Sequence, residues 1–111
     1  MAVNFVISWS IPEGHEAEVD AALDAVRAHI EAEHPQILAM RLVRQYAGPE
    51  PHRAYMWLEE YESLAAMGSV QGSPACDEVW HPIRALMTPG THHQSIWTDV
   101  GKRHWGPAPK P

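Results

Sequence analysis

The chain opens on a strict alternation. Val3, Phe5, Ile7, Trp9 and Ile11 fall on one side of an extended backbone and Asn4, Val6, Ser8 and Ser10 on the other, which predicts a strand with one apolar face. Pro12-Glu13-Gly14 breaks it. From Glu16 the period lengthens: Val19, Ala22, Leu23, Val26 and Ile30 make a helical stripe that runs to about Glu33. Glu16, Glu18 and Asp20 lie early and His29 and His34 late, the sense the helix dipole favours, and Pro35 stops the helix. Residues 37–46 and 53–60 read as the two strands of a hairpin around the Pro-rich loop 47–51. A short helix starts over residues 63–67 and is expected to be interrupted by Gly68 and Gly72. Ser73 as N-cap and Pro74 at the first helical position open another, with Asp77 and Glu78 in its first turn. Val79, Trp80, Ile83, Leu86 and Met87 form its apolar stripe, and Pro82 is expected to kink or divide it. Pro89-Gly90 ends the helix and residues 91–98 form the last strand.

Strand, helix, strand, strand, helix, strand predicts an α+β chain: a ferredoxin-like βαββαβ sandwich with both helices on one face of an antiparallel sheet. One domain is expected over residues 1–100. Residues 101–111 read as an extended Gly/Pro-rich tail with Trp105 as its candidate anchor. In this topology the first and third strands are central. The third, Ala54-Tyr55-Met56-Trp57-Leu58, is apolar on both faces, and helices cover only one. The other face is expected to meet a second copy, so the expected partner is the chain itself, a homodimer closing a dimeric α/β barrel.

Composition changes the picture in three ways. With 111 residues, 45% hydrophobic and 20% charged, the chain has the profile of an ordinary globular domain. A formal charge of −6 argues against nucleic acid and against an anionic membrane surface as partners. The first ten residues carry no basic n-region, and no apolar run approaches the ~20 residues of a spanning helix. The single cysteine, Cys76, fits a reducing compartment, and a cytoplasmic location is expected. Five Trp stand against one Phe, an enrichment that suits interfaces or pockets for flat ligands.

Eight His invite a metal site, but the spacings do not support one. His92 and His93 are adjacent on a strand and face apart. His29 and His34 are five apart, about 140° around a helix, and are not expected to chelate together. No metal ligand set and no bound cofactor is expected. Cys76 lies near a helix N-terminus, where a thiolate is favoured, but a small buried side chain is the plainer reading. Glu59 and Glu60 face apart and form no catalytic pair; one is expected in solvent and the other capping the next helix or lining the barrel end. The segment Gly68 to Gly72 lacks the Lys of a phosphate loop. His81, close to an apolar stripe and titrating near neutrality, is the expected acid–base residue. Trp9, Tyr55, Trp57, Trp80 and Trp97 suit a pocket for a flat aromatic molecule, with His92 or His93 turned into it.

Two stretches carry a resemblance. Tyr55-Met56-Trp57-Leu58-Glu59-Glu60-Tyr61-Glu62-Ser63-Leu64-Ala65-Ala66 runs an aromatic strand into a Ser-Leu helix start, and Ser73-Pro74-Ala75-Cys76-Asp77-Glu78-Val79-Trp80-His81 is a capped helix bearing a His. With the ground plan, these resemble the dimeric α/β-barrel superfamily of antibiotic-biosynthesis monooxygenase-like, NIPSNAP-like and stress-responsive A/B-barrel proteins. The haem-degrading branch uses a first-strand Asn, a third-strand Trp and a helix His. Trp57 and His81 match two of these, but Ile7 falls at the Asn position and Asn4 has the opposite parity. The monooxygenase branch uses pocket Trp, Asn, Tyr and Arg. The resemblance therefore implies a monooxygenase-like enzyme acting on an aromatic or polyketide-like substrate without metal or haem. His81 and Tyr55 are its expected catalytic residues, and Trp57, Trp9, His92 and His93 its expected substrate-binding residues. The same fold also serves cyclases, isomerases and non-catalytic ligand-binding or stress-associated dimers.

Overall fold

A computed structural model describes residues 2–101. Its elements are β1 (Val3–Ser10), α1 (Glu16–Glu33), β2 (Ile37–Arg44), β3 (Ala54–Tyr61), α2 (Leu64–Gln71), α3 (Pro74–Leu86) and β4 (His93–Thr98). The four strands form one antiparallel sheet in the order β2-β3-β1-β4, so β1 and β3 are central as the topology requires. This is the ferredoxin-like α+β plan. The tail with Trp105 lies outside the described residues from position 102 onward.

Register explains the core. Val3, Phe5, Ile7 and Trp9 pair with Tyr61, Glu59, Trp57 and Tyr55, which puts all eight side chains on the helix-side face. All eight are buried. Val19, Leu23, Val26 and Ile30 of α1 and Cys76, Trp80 and Ile83 of α3 close over them. Burying such side chains contributes about 1.5–3 kcal/mol each before conformational entropy is charged against it.

Two expectations about helices are corrected. Gly68 does not interrupt α2, which runs through it to a C-cap at Gly72 whose N–H donates to the Gly68 carbonyl. The Ser63 hydroxyl accepts from the Ala66 N–H and starts the helix. A lone Gly costs only ~1 kcal/mol, and one good cap recovers a comparable amount. Pro82 does not divide α3, which is continuous from Pro74 to Leu86. Pro82 is exposed, so the carbonyl it leaves unpaired can meet water, while Trp80 and Ile83 on either side are held in the core.

The strands are shorter than predicted where loops take over. Gln45 leaves β2 to organise the 45–53 turn: its side-chain carbonyl accepts from the Glu50 N–H and its backbone carbonyl from the His52 N–H. Gly48 has φ +140°, and a Cβ there would lie 2.7 Å from the Gln45 amide carbon, so the turn needs glycine.

The opposite face of the sheet is open. Asn4, Val6, Ser8, Met56, Leu58, Ser95 and Trp97 line a shallow apolar trough of about 490 Å³ there. Met56 is 40% exposed and Trp97 62% exposed, although both are large and apolar. Among the described residues no helix is long and apolar enough to cross a membrane.

Candidate functional site

The helix layer does not fill the space over β1 and β4. Phe5 and Ile7 of β1 and Gln94, which pairs with Ile7 from β4, form a floor. Met67 and Gln71, four apart on α2, and Cys76 and Trp80, four apart on α3, form the walls. Arg84, Met87 and His92 stand at the rim of this cavity of about 280 Å³. Phe5, Ile7, Met67 and Trp80 give it an apolar side, and Gln71, Gln94, His92 and the Asp77–Arg84 ion pair converge on it, a make-up compatible with a small-molecule site.

Behind the inner wall is a buried carboxylate. Glu59 is 1% exposed. Trp57 Nε1 donates to its Oε2 at 3.0 Å, and Tyr61 OH and Gln71 Nε2 donate to its Oε1 at 2.7 and 3.1 Å. Gln71 Nε2 also donates to the Tyr61 oxygen at 3.2 Å. Gln71 is thus the link between cavity and network, with its Nε2 turned toward both Glu59 and Tyr61. Burial pushes the Glu59 carboxyl above the usual range, and the three donors hold it partly down. Tyr61 is pushed well up by burial and by the Glu59 charge.

Of Glu59 and Glu60, expected with one in solvent and the other capping the next helix or lining the barrel end, Glu59 instead lies buried in the core. The missed signal was parity. Trp57, Glu59 and Tyr61 share one strand face, and a carboxylate between two core aromatics has to be buried with donors of its own. A pH consequence follows. Because the folded-state value of Glu59 lies above its unfolded one, ionisation opposes folding. This contribution to stability is full below the unfolded value of about 4.3 and is lost as pH rises through the folded value. The stability of Glu59→Gln should therefore fall less than that of the parent chain between pH 4 and pH 7. Parallel pH curves of denaturant midpoint would contradict the assignment.

The residues singled out in the sequence separate. His92 lines the cavity rim; burial, Arg84 and His93 lower its pKa, so it is neutral at neutral pH. His93 lies on the other side of the sheet, in a groove of about 560 Å³ with Trp9 and Tyr55 at its end. Trp57 is buried edge-on to Trp80 at 5.2 Å and, with Tyr55, lines a cleft between α1 and β2/β3. Trp9 stacks on Tyr55 at 5.4 Å and meets Trp80 edge-on, and its Nε1 is a buried donor with no partner among the described residues. Tyr55 donates to Asp20 Oδ1 at 3.2 Å under the Arg44 guanidinium, in that cleft of about 380 Å³. His81 is corrected most. It is exposed rather than set in the sheet–helix cleft, because it lies about 100° beyond Trp80 on α3, on the side away from Ile83. Cys76 is buried, and burial with the Glu59 and Asp77 charges pushes its thiol up to about 11, so it is no thiolate.

Among the described residues no group of three or more His, Cys, Asp or Glu is arranged to hold a metal. One spacing argument is nevertheless corrected: His29 and His34 do meet, Nε2 to Nε2 at 3.1 Å. The 140° separation assumed a continuing helix. The helix ends at Glu33, and His34, at φ −127° and ψ 71°, turns its ring back.

No protein-family model matches the chain, and no curated protein matches its sequence. Solved structures do match its shape. SnoaB, a cofactor-independent oxygenase from Streptomyces nogalater, is 19% identical with a TM-score of 0.72, over 88% of this chain and 92% of that one. A candidate antibiotic biosynthesis monooxygenase from Caulobacter crescentus is 19% identical with a TM-score of 0.76, over 89% and 90%. A protein of Mycobacterium tuberculosis is 15% identical with a TM-score of 0.74, over 94% and all of that chain. The fold is that of the antibiotic-biosynthesis monooxygenases. In this fold Ile7 sits opposite Trp57 on the helix-side face and Asn4 lines the open face, as strand parity predicts.

Proposed function

We propose that the chain is a cofactor-independent oxygenase of a flat, acidic aromatic or polyketide-like compound, working in the cavity beneath α2 and α3. The observation that carries this reading is one cavity with an apolar side made by Phe5, Ile7, Met67 and Trp80, a His at its rim and a network anchored on a buried carboxylate behind it. The description of SnoaB as a cofactor-independent oxygenase supports it.

Phe5, Ile7, Met67 and Trp80 would hold the ring system. Gln71, held on one edge of its amide by Glu59 and Tyr61, would turn its Oε1 to accept from a substrate hydroxyl. His92 takes over the role first assigned to His81 and removes the acidic C–H proton. Arg84, ion-paired to Asp77 at 3.0 Å, would stand at the rim beside the carbanion. The carbanion passes an electron to O2, and the two radicals join in a C–O bond. The peroxide takes the proton back from His92. Loss of water leaves a carbonyl, so one O2 is consumed and one oxygen atom stays in the product. Trp57 and Trp9 support Trp80 of the cavity wall, and Tyr55 supports Trp9.

Oxygen uptake by pure protein with hydroxylated polycyclic aromatics tests the reading. One O2 per molecule of product is expected. A rearranged product without uptake would instead make the chain an isomerase or cyclase using the same His. Binding without turnover would make it a carrier.

The apolar trough on the open sheet face supports a second copy as partner, since Met56, Leu58 and Trp97 are uncovered in one chain. Light scattering should give twice the chain mass. A monomer at micromolar concentration would remove the barrel from the account.

A further inference from the structure

The His29–His34 pair lies outside the proposed cavity, and its geometry is informative. The two Nε2 atoms are 3.1 Å apart and the ring centroids 4.9 Å apart. An ion about 2.05 Å from each nitrogen would subtend an N–metal–N angle of about 98°, between the octahedral and tetrahedral values. Placed on both lone-pair axes, with a ring radius of about 1.15 Å, it would set the centroids about 4.8 Å apart. A straight N–H···N hydrogen bond along the ring axes would instead hold them about 5.4 Å apart. The observed separation is compatible with a shared point and shorter than a straight bond along the ring axes would give.

The surroundings agree. The pair sits at the C-terminal end of α1, where the helix dipole favours a cation. His34 is buried, which fixes the orientation of its ring. His29 is half-buried and leaves the pair open to solvent on one side. Glu33 is exposed next to His34 in the chain. The backbone is fixed on both sides: the His34 N–H donates to the Ile30 carbonyl and the Ile37 N–H to the His34 carbonyl.

The geometry points to a two-histidine site for a borderline transition-metal ion, Zn²⁺ or Ni²⁺, with water completing the shell. Imidazole donors without thiolate suit these ions rather than Mg²⁺ or Ca²⁺. The ion would pin the end of α1 to the turn that enters β2. It takes no part in the oxygenation.

The test is titration of the untagged chain with Zn²⁺ and, separately, Ni²⁺, followed by calorimetry and by thermal melting. One ion per chain is expected, with a rise in Tm at excess metal. His29→Ala should weaken binding by at least ~10-fold and abolish the rise while leaving the metal-free Tm near that of the parent. His34→Ala should do the same to binding, but its ring is buried, so His29→Ala is the cleaner variant. His15→Ala, remote in sequence and paired with Glu18, should bind as the parent does. Binding of neither ion, or binding that survives His29→Ala, would overturn the site. A pair that is only a hydrogen bond would show neither stoichiometric binding nor a shift in Tm.

Discussion

Trp57→Ala should destabilise the chain by about 3–5 kcal/mol, the range for emptying a buried Trp site. In a domain of this size that is a fall in Tm of at least ~12 °C. Two separate losses add. The indole is 3% exposed and packs edge-on to Trp80, so its removal leaves a void in the centre of the helix-side face. Its N–H is also the donor to Glu59 Oε2, and without it one oxygen of a buried carboxylate loses its protein donor. Trp57→Phe separates the two, because it keeps most of the packing and removes the N–H. It should retain more than half of the lost stability and push the Glu59 carboxyl further up. Chemical denaturation of the three proteins gives the answer. A cost below 1 kcal/mol for Trp57→Ala would mean that the site collapses freely and the network does not depend on it.

His92→Ala should lower turnover by ~10²-fold or more, the usual scale for loss of a general base, with little change in melting. The side chain is largely exposed and contributes little packing, so stability should move by less than ~0.5 kcal/mol. The pH profile supplies a second reading. A base works when neutral, and the lowered pKa of His92 keeps it neutral further into acid than an ordinary His of about 6.5. The acid limb of the activity profile should therefore lie at lower pH than an ordinary His would give. His81→Ala should leave activity unchanged, because that ring is exposed on the outer side of α3. Full activity in His92→Ala with loss in His81→Ala would reverse the assignment.

The architecture was legible because apolar positions along β1, α1, α3 and β3 keep their periods over long runs. Val3 to Ile11 and Val19 to Ile30 leave little freedom about which face is buried. Strand parity also separated Asn4 from the helix-side face correctly. The site was less legible, since it is built from side chains that meet only after the sheet is paired. Gln71 sits at the end of a short helix with no signal of its own, and becomes informative only when α2 lays it against Glu59 and Tyr61. Glu59 could have been found from Trp57-Leu58-Glu59-Glu60-Tyr61 had its parity been weighed beside that of its aromatic neighbours. His81 was misjudged because one residue of helix phase separates an inward from an outward side chain. The meeting of His29 and His34 depends on where α1 stops, and sequence patterns place helix ends only to within a residue or two.

The most direct test is a crystal structure of the chain with a bound hydroxylated polycyclic aromatic compound. The ring system is expected between Phe5, Ile7 and Trp80, with one hydroxyl on Gln71 Oε1 and the acidic carbon within hydrogen-bond reach of His92. A ligand seated instead in the cleft of Asp20, Arg44 and Tyr55, with the cavity beneath α2 and α3 empty, would contradict the account.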